Sequence, residues 1–461
     1  MLNLMREKVE KNPKLGVDPS KLVLEPTRPK ATATQMGKDA AAKIRAKAVE
    51  LKQRNLLTPE AAQKMETEAA KAEKTGAKLD AQKAQLLEKL KLKKIEMAEG
   101  LKKLDAKELP DTAKAKFAEH GLSVDSLRVL TREEVQRYHE QGKSLIGAVL
   151  SGVDLSGLDL SGADLSKCQL KGTNFKEATL DNVKFVQAIG IDTDFSKASL
   201  RRADLSRGLF NKAVFAESNL SEAKAAQAIF KNAQFPKAVL RDADFDMAIL
   251  EKTDFTEADL KGARINMCMV SGKADKSDFS QSIIKKSIFK ASSLNEADFS
   301  EASVNESMFN NVEARKINFA DANLDKLRTG RNSNFKDSDF RNATLRGAAL
   351  RESDFTGSDF RGADLENGMV DNSQLVRANL NGISAKGARF NKSNLEAASM
   401  RAANIHMGGM RKARLVDTDL RGSNLYAVDF YKSVLGNTRF EAANLKRSQL
   451  HGKLELLDDD S

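Results

Sequence analysis

The chain has 461 residues, of which 31% are charged and 41% hydrophobic, a length that ordinarily means two to four globular domains. It has no run of eighteen apolar residues, which excludes an ordinary membrane-spanning helix, and no secretory signal of basic start, apolar stretch and small-residue cleavage site; a cytoplasmic protein without membrane insertion is expected. The formal charge of +11 is uneven: residues 1–140 hold 30 Lys and Arg against 22 Asp and Glu, while the remainder holds 46 against 43, so most of the chain is nearly neutral and lacks the basic excess of a general nucleic-acid binder.

In chain order, residues 1–38 carry four of the seven prolines, Pro13, Pro19, Pro26 and Pro29, and read as an extended lead. Residues 39–129 read as a helical connector. Thr58-Pro59-Glu60 supplies a cap, a first-turn proline and an early acid. The strongest helix is expected from about Asp80 to Leu104. Leu86, Leu90, Met97, Leu101 and Leu104 lie on one stripe among lysines and glutamates, a pattern of a hairpin or short coiled coil whose apolar face needs a partner. Residues 130–142 form a short capping helix. Thr131 and Glu134 stand at capping-box spacing, and the helix through Val135 and Tyr138 is placed to plug the N-terminal end of the repeat region.

That region, residues 143–450, is one phrase of five residues written over and over. Its centres run from Leu145 through Leu165, Leu205, Leu260, Phe299, Leu365 and Leu425 to Leu450, and 56 of 61 are Leu, Phe, Ile, Val or Met. Two positions earlier, 53 of 61 residues are Ala, Ser, Thr, Gly or Cys. A helix repeats its apolar stripe every 3.6 residues and a strand alternates every two, so neither accounts for a period of five. If the centre and the small residue both face inward, three residues run extended and two turn a corner. Sixteen aspartates immediately precede a centre, where they can bond to turn backbone. Cys168 and Cys268 occupy the small inward position and are expected to be buried hydrophobes, without disulfide or metal.

Two phase slips, within residues 266–278 and 325–334, are expected to disturb a corner or a side. Gly190, Ala225, Ala274, Ala314 and Ala385 are undersized centres. At Gly190 either a neighbouring large side chain fills the space or a bulge turns an isoleucine inward. Met267, Met269 and Met407, with Tyr426 and Tyr431 on consecutive units, are candidate partner contacts. Residues 451–461 are an acidic tail whose Leu454, Leu456 and Leu457 either cap the open end or pair with a second copy in a homodimer.

Copies such as Ala163-Asp164-Leu165, Ala203-Asp204-Leu205, Ala363-Asp364-Leu365 and Ala378-Asn379-Leu380 resemble the pentapeptide-repeat family. That resemblance implies an all-β solenoid, a right-handed quadrilateral β-helix of four sides per coil, here behind an N-terminal helical region. The segment from Leu130 to Leu165, with Thr131, His139, Gly142 and Leu145 ahead of Asp154 and Asp159, resembles the entry to the repeats in bacterial proteins associated with type VI secretion, where a secretion-associated domain precedes a connector like this one. It implies a non-enzymatic adaptor or scaffold that binds a secretion effector or spike component. The alternative implied by the family is a DNA-mimicking inhibitor of DNA gyrase or of another DNA-binding protein. No phosphate loop, histidine-centred metal motif or Ser-His-Asp signature is present, so neither enzyme nor cofactor is expected. Direct nucleic-acid binding is disfavoured by the missing aromatic interleaving.

Overall fold

A computed structural model of the protein describes residues 128–330 and 332–451. The chain divides into two compact units, Met1–Leu104 and Asp105–Ser461, and every described residue belongs to the second. The proline-rich lead, almost all of the helical connector and the tail from 452 onward lie outside the described residues.

Helix α1, Arg132–Glu140, opens the described part. Thr131 caps it through a capping box in which the Glu134 N–H donates to Thr131 Oγ1 and the Thr131 N–H donates to the Glu134 carboxylate. Arg128 forks onto the same carboxylate at 2.6 and 2.8 Å. The Arg128 hydrogen bonds, joined by the Thr131 backbone donor, hold the Glu134 carboxyl down at about 2. Val135 is buried at the tube mouth. The Arg132 guanidinium donates to the carbonyls of Asp154 and Ser156, which fastens the helix to the first full coil.

From there the chain winds in coils of twenty residues, each residue before a centre bridging in parallel to its counterpart one coil on: Asp154 to Asn174, Asp159 to Thr179, Asp164 to Lys184, Gln169 to Ile189. The four bridges per coil define four sides, designated the Asp154, Asp159, Asp164 and Ile189 sides. Along each side the backbone bonds alternate direction: the Asn174 N–H donates back to Val153 O, and the Phe175 N–H donates forward to Asp194 O. Every corner closes with a bond such as Ala178 N–H to Phe175 O, and its second residue is left-handed whatever its type, as at Lys167, Glu177 and Asn182, where φ is 61°, 59° and 59°. Left-handed backbone costs a residue with a Cβ roughly 1 kcal/mol or more. The aspartates before the centres offset part of that cost: Asp164 accepts the Ser166 N–H, Asp204 that of Ser206 and Asp298 that of Ser300.

Centres and small residues fill the interior. Leu165, Leu205, Leu260, Phe299, Leu365 and Leu425 are all buried. On the Asp154 side Phe175, Phe195, Phe215, Phe235 and Phe255 stack in one column, centroids 4.6 to 5.2 Å apart. Rings from other sides meet them edge-on, the arrangement favoured by their quadrupoles. Buried hydroxyls in the small column donate to a carbonyl of the previous coil, as Thr173 does to Leu150 and Ser423 to Met400. Both cysteines do the same through Sγ, and burial pushes their thiols up to about 12. At Gly190 a Cβ would lie 2.7 Å from the Phe210 ring; the phenylalanine of the next coil fills the space and Ile189 stays outward.

The slips both fall at the corner between the Ile189 and Asp154 sides. Five short strands pass through it as a parallel sheet: β1 Ile249–Asp254, β2 Met269–Lys273, β3 Ile288–Ser293, β4 Met308–Asn310 and β5 Arg328–Thr329. Met269 pairs with Ile249 twenty residues back, whereas Lys273 pairs with Asp254, nineteen back, so one residue is lost near Gly272. Asn334 bridges to Glu313, twenty-one back, so one is gained near Gly330. Strands β6 Ser333–Asn334 and β7 Ser353–Asp354 continue beyond it. At the far end Leu435, Phe440, Leu445 and Leu450 are only half-buried, because the last described coil has no described neighbour above it.

Candidate functional site

With twenty residues per coil, outward residues on one side recur every fourth phrase. Sorted by side, three faces are polar and one is not. The Ile189 side presents Val149, Gln169, Ile189, Leu209, Ile229, Ile249, Met269, Ile288 and Met308 in consecutive rungs. The stretch from Ile189 to Met308 spans six steps of about 4.8 Å, roughly 30 Å. Met269 is 50% and Ile288 38% exposed. Met247 and Met267 stand at successive left-handed corners beside that row, both exposed. Lys285 and Lys290 occupy the corners on either side of Ile288, and Lys252 a corner beside Ile249. The surface is therefore an apolar strip with a basic border.

Every candidate contact that falls among the described residues adjoins this one side. Met267 and Met269 lie at its middle. Met407, 63% exposed, and Tyr426 lie on its border seven and eight rungs further, while Tyr431 lies on the opposite border. Tyr426 is stacked on His406 at 5.1 Å with Arg447 over its ring; Tyr431 is approached by Arg411 and Lys432. The two groups share a side but are separated by about 34 Å, with Arg328 and Arg389 in the row between them. Leu86, Leu90, Met97, Leu101 and Leu104 lie outside the described residues. Sequence reasoning missed Ile189, Leu209, Ile229, Ile249 and Ile288, whose signal is a column read every twentieth residue.

The Asp159 side carries the opposite character. Asp259, Asp278, Asp298, Asn318, Asp339 and Asp359 occupy consecutive rungs. Arginines at flanking corners neutralise several of them: Arg241 on Asp259, Arg341 on Asp339 and Arg361 on Asp359. Further along, Asp419 is buried beneath Arg401, Arg421 and Arg439. The hydrogen bond from Arg421, aided by Arg401, holds its carboxyl well below the ordinary carboxylate range. Among the described residues there is no group of three or more His, Cys, Asp or Glu placed to hold a metal ion, and no helix long and apolar enough to cross a membrane.

The pentapeptide-repeat family model matches in eight copies, over residues 141–166, 168–207, 218–256, 238–272, 331–367 and 372–406. No curated protein matches the chain. Among solved structures it is similar to HetL, a pentapeptide repeat protein involved in heterocyst differentiation regulation from Nostoc sp. strain PCC 7120, at 22% identity over 52% of this chain and 97% of that one, with a TM-score of 0.29. It is similar to QnrB1, a plasmid-mediated fluoroquinolone resistance protein, at 19% identity over 38% of this chain and 90% of that one, TM-score 0.33. A pentapeptide repeat protein of the Arabidopsis thaliana thylakoid lumen aligns at 34% identity over 20% of this chain and 66% of that one, TM-score 0.20. None of the three is described as part of a secretion apparatus. The repeat model, matched along the same coils that the bridges trace, makes the chain a pentapeptide-repeat protein of the β-solenoid class.

Proposed function

We propose that this protein is a non-catalytic scaffold that binds a protein partner through the middle of its Ile189 side. The observation that supports this is the cluster of Met247, Met267, Met269 and Ile288, four exposed apolar side chains on one rigid wall. Scattered apolar residues are ordinary on a surface, but a contiguous strip marks an interaction site, and methionines adapt to a partner's shape. With Lys252, Lys285 and Lys290 around it, the complementary partner is an apolar protein face rimmed by acidic groups. The entry-region resemblance nominates a secretion effector or spike component as that partner. In a pull-down from the native host's lysate, the full chain is expected to retain a protein that Met269→Glu/Ile288→Glu loses at least tenfold and that added salt weakens. Capture indifferent to the double substitution would overturn this assignment of the surface.

A second reading, imitation of DNA, is favoured by the aspartate row of the Asp159 side. Its rungs lie about 4.8 Å apart against 3.4 Å per phosphate along a DNA strand, and the pairs that Arg241, Arg341 and Arg361 make reduce its charge. A gyrase supercoiling assay separates the readings. The scaffold reading expects no inhibition, whereas inhibition abolished by Asp278→Asn/Asp298→Asn would establish the acidic row as the functional face.

A further inference from the structure

The apolar row is not uniformly accessible. Leu209 is fully buried and Ile229 is 6% exposed, although both occupy the outward position whose later members, Met269 and Ile288, lie open. Side-chain type does not explain the contrast, since Ile229 and Ile288 are the same residue on the same side. We propose that residues 105–127 fold back along the first half of the Ile189 side, from Ile189 to Ile229, and act as a built-in cover that leaves the Met269 end free.

Four observations carry this. Val129 bridges to Val149 at the head of the row, so the chain joins the tube on this side and the segment before it starts there. Residues from Asp105 onward belong to the same compact unit as the solenoid, whereas Met1–Leu104 form another. The reach is sufficient: Val129 to Ile229 is five rungs, about 24 Å, and 23 residues span about 34 Å even if wholly helical. The chemistry is complementary. Phe117, Leu122 and Val124 supply apolar groups, and five acids against three lysines give the segment a charge of −2, facing a border that carries Lys171, Arg207 and Lys212.

The cover is distinct from the partner reading and is tested without any partner. In the full chain, Phe117→Cys and Leu122→Cys are each combined with Ile189→Cys, Leu209→Cys or Ile229→Cys, giving six pairs, and oxidised with diamide. Buried Cys168 and Cys268, with thiols near 12, give little background. At least one pair is expected to form an intramolecular disulfide, identified by peptide mass, at tenfold or more the yield of Phe117→Cys with Met369→Cys on the same row. Disulfides only between copies would make a second chain the cover and overturn the proposal, as would absence from all six pairs. A second variant, Phe117→Lys/Leu122→Lys, leaves the tube untouched. It is expected to raise the fluorescence of an apolar-surface dye at least twofold with unchanged circular dichroism; unchanged dye binding would also overturn the cover.

Discussion

Phe215→Ala is expected to lose about 4 kcal/mol, near the top of the range for core truncations. The ring is stacked between Phe195 at 4.8 Å and Phe235 at 4.6 Å and is met edge-on by Phe210 and Phe230. Neighbouring coils are held by continuous backbone ladders and cannot collapse into the space, so the cavity term persists in full. Because each coil contacts only its neighbours, the loss concentrates locally. Amide hydrogen exchange should accelerate in the coils around residues 195–235 and stay unchanged beyond residue 380. The half-buried Phe440 at the open end should lose less than half as much on the same substitution. Equal losses at the two positions would show that burial inside the tube is not what holds the coils.

Gly272→Ala is expected to cost at least about 3 kcal/mol, a size reserved for strain and steric conflict. Its φ of +117° lies where only glycine is comfortable, and a Cβ there would stand 2.0 Å from the Thr253 carbonyl oxygen. That oxygen belongs to the preceding coil's backbone and cannot rotate away. Gly382 supplies the comparison, with φ +66° and nothing within 4 Å of an added Cβ; Gly382→Ala should cost only about 1 kcal/mol. Denaturant unfolding with a probe in the β1–β2 coils distinguishes the two. Similar losses would mean that the shortened corner re-forms around a side chain.

Much of the fold is legible in the sequence because the tube wall is made by two columns, the large centre and the small residue before it, and both face an interior that admits nothing else. The left-handed corners leave a trace in a third column: the second residue after each centre is Gly at fourteen places and is never Val, Ile or Thr, the types least able to adopt that backbone. The side assignment is not legible, because a period of five places all outward residues in one class. Only the twenty-residue coil sorts Ile189, Leu209, Ile229, Ile249 and Met269 into a single row and Asp259, Asp278 and Asp298 into another. Gly190 is ambiguous in the sequence for a related reason: the ring that fills it belongs to Phe210, twenty residues on. The methionines at 267 and 269 are recognisable as outward and apolar, but their isoleucine neighbours look like ordinary members of scattered phrases.

In an ordinary strand, loss of one residue inverts every side chain beyond it. Here the chain runs nineteen residues around one coil and twenty-one around another, and the residues after each anomaly resume the same inward and outward assignment at once. The corner therefore acts as a shock absorber for insertions and deletions: each coil locks to the one beneath it by side-chain chemistry and carries no memory of the residue count. A lineage can lengthen, shorten or retune such a wall one coil at a time, and a surface selected on one stretch stays in place while its neighbours change.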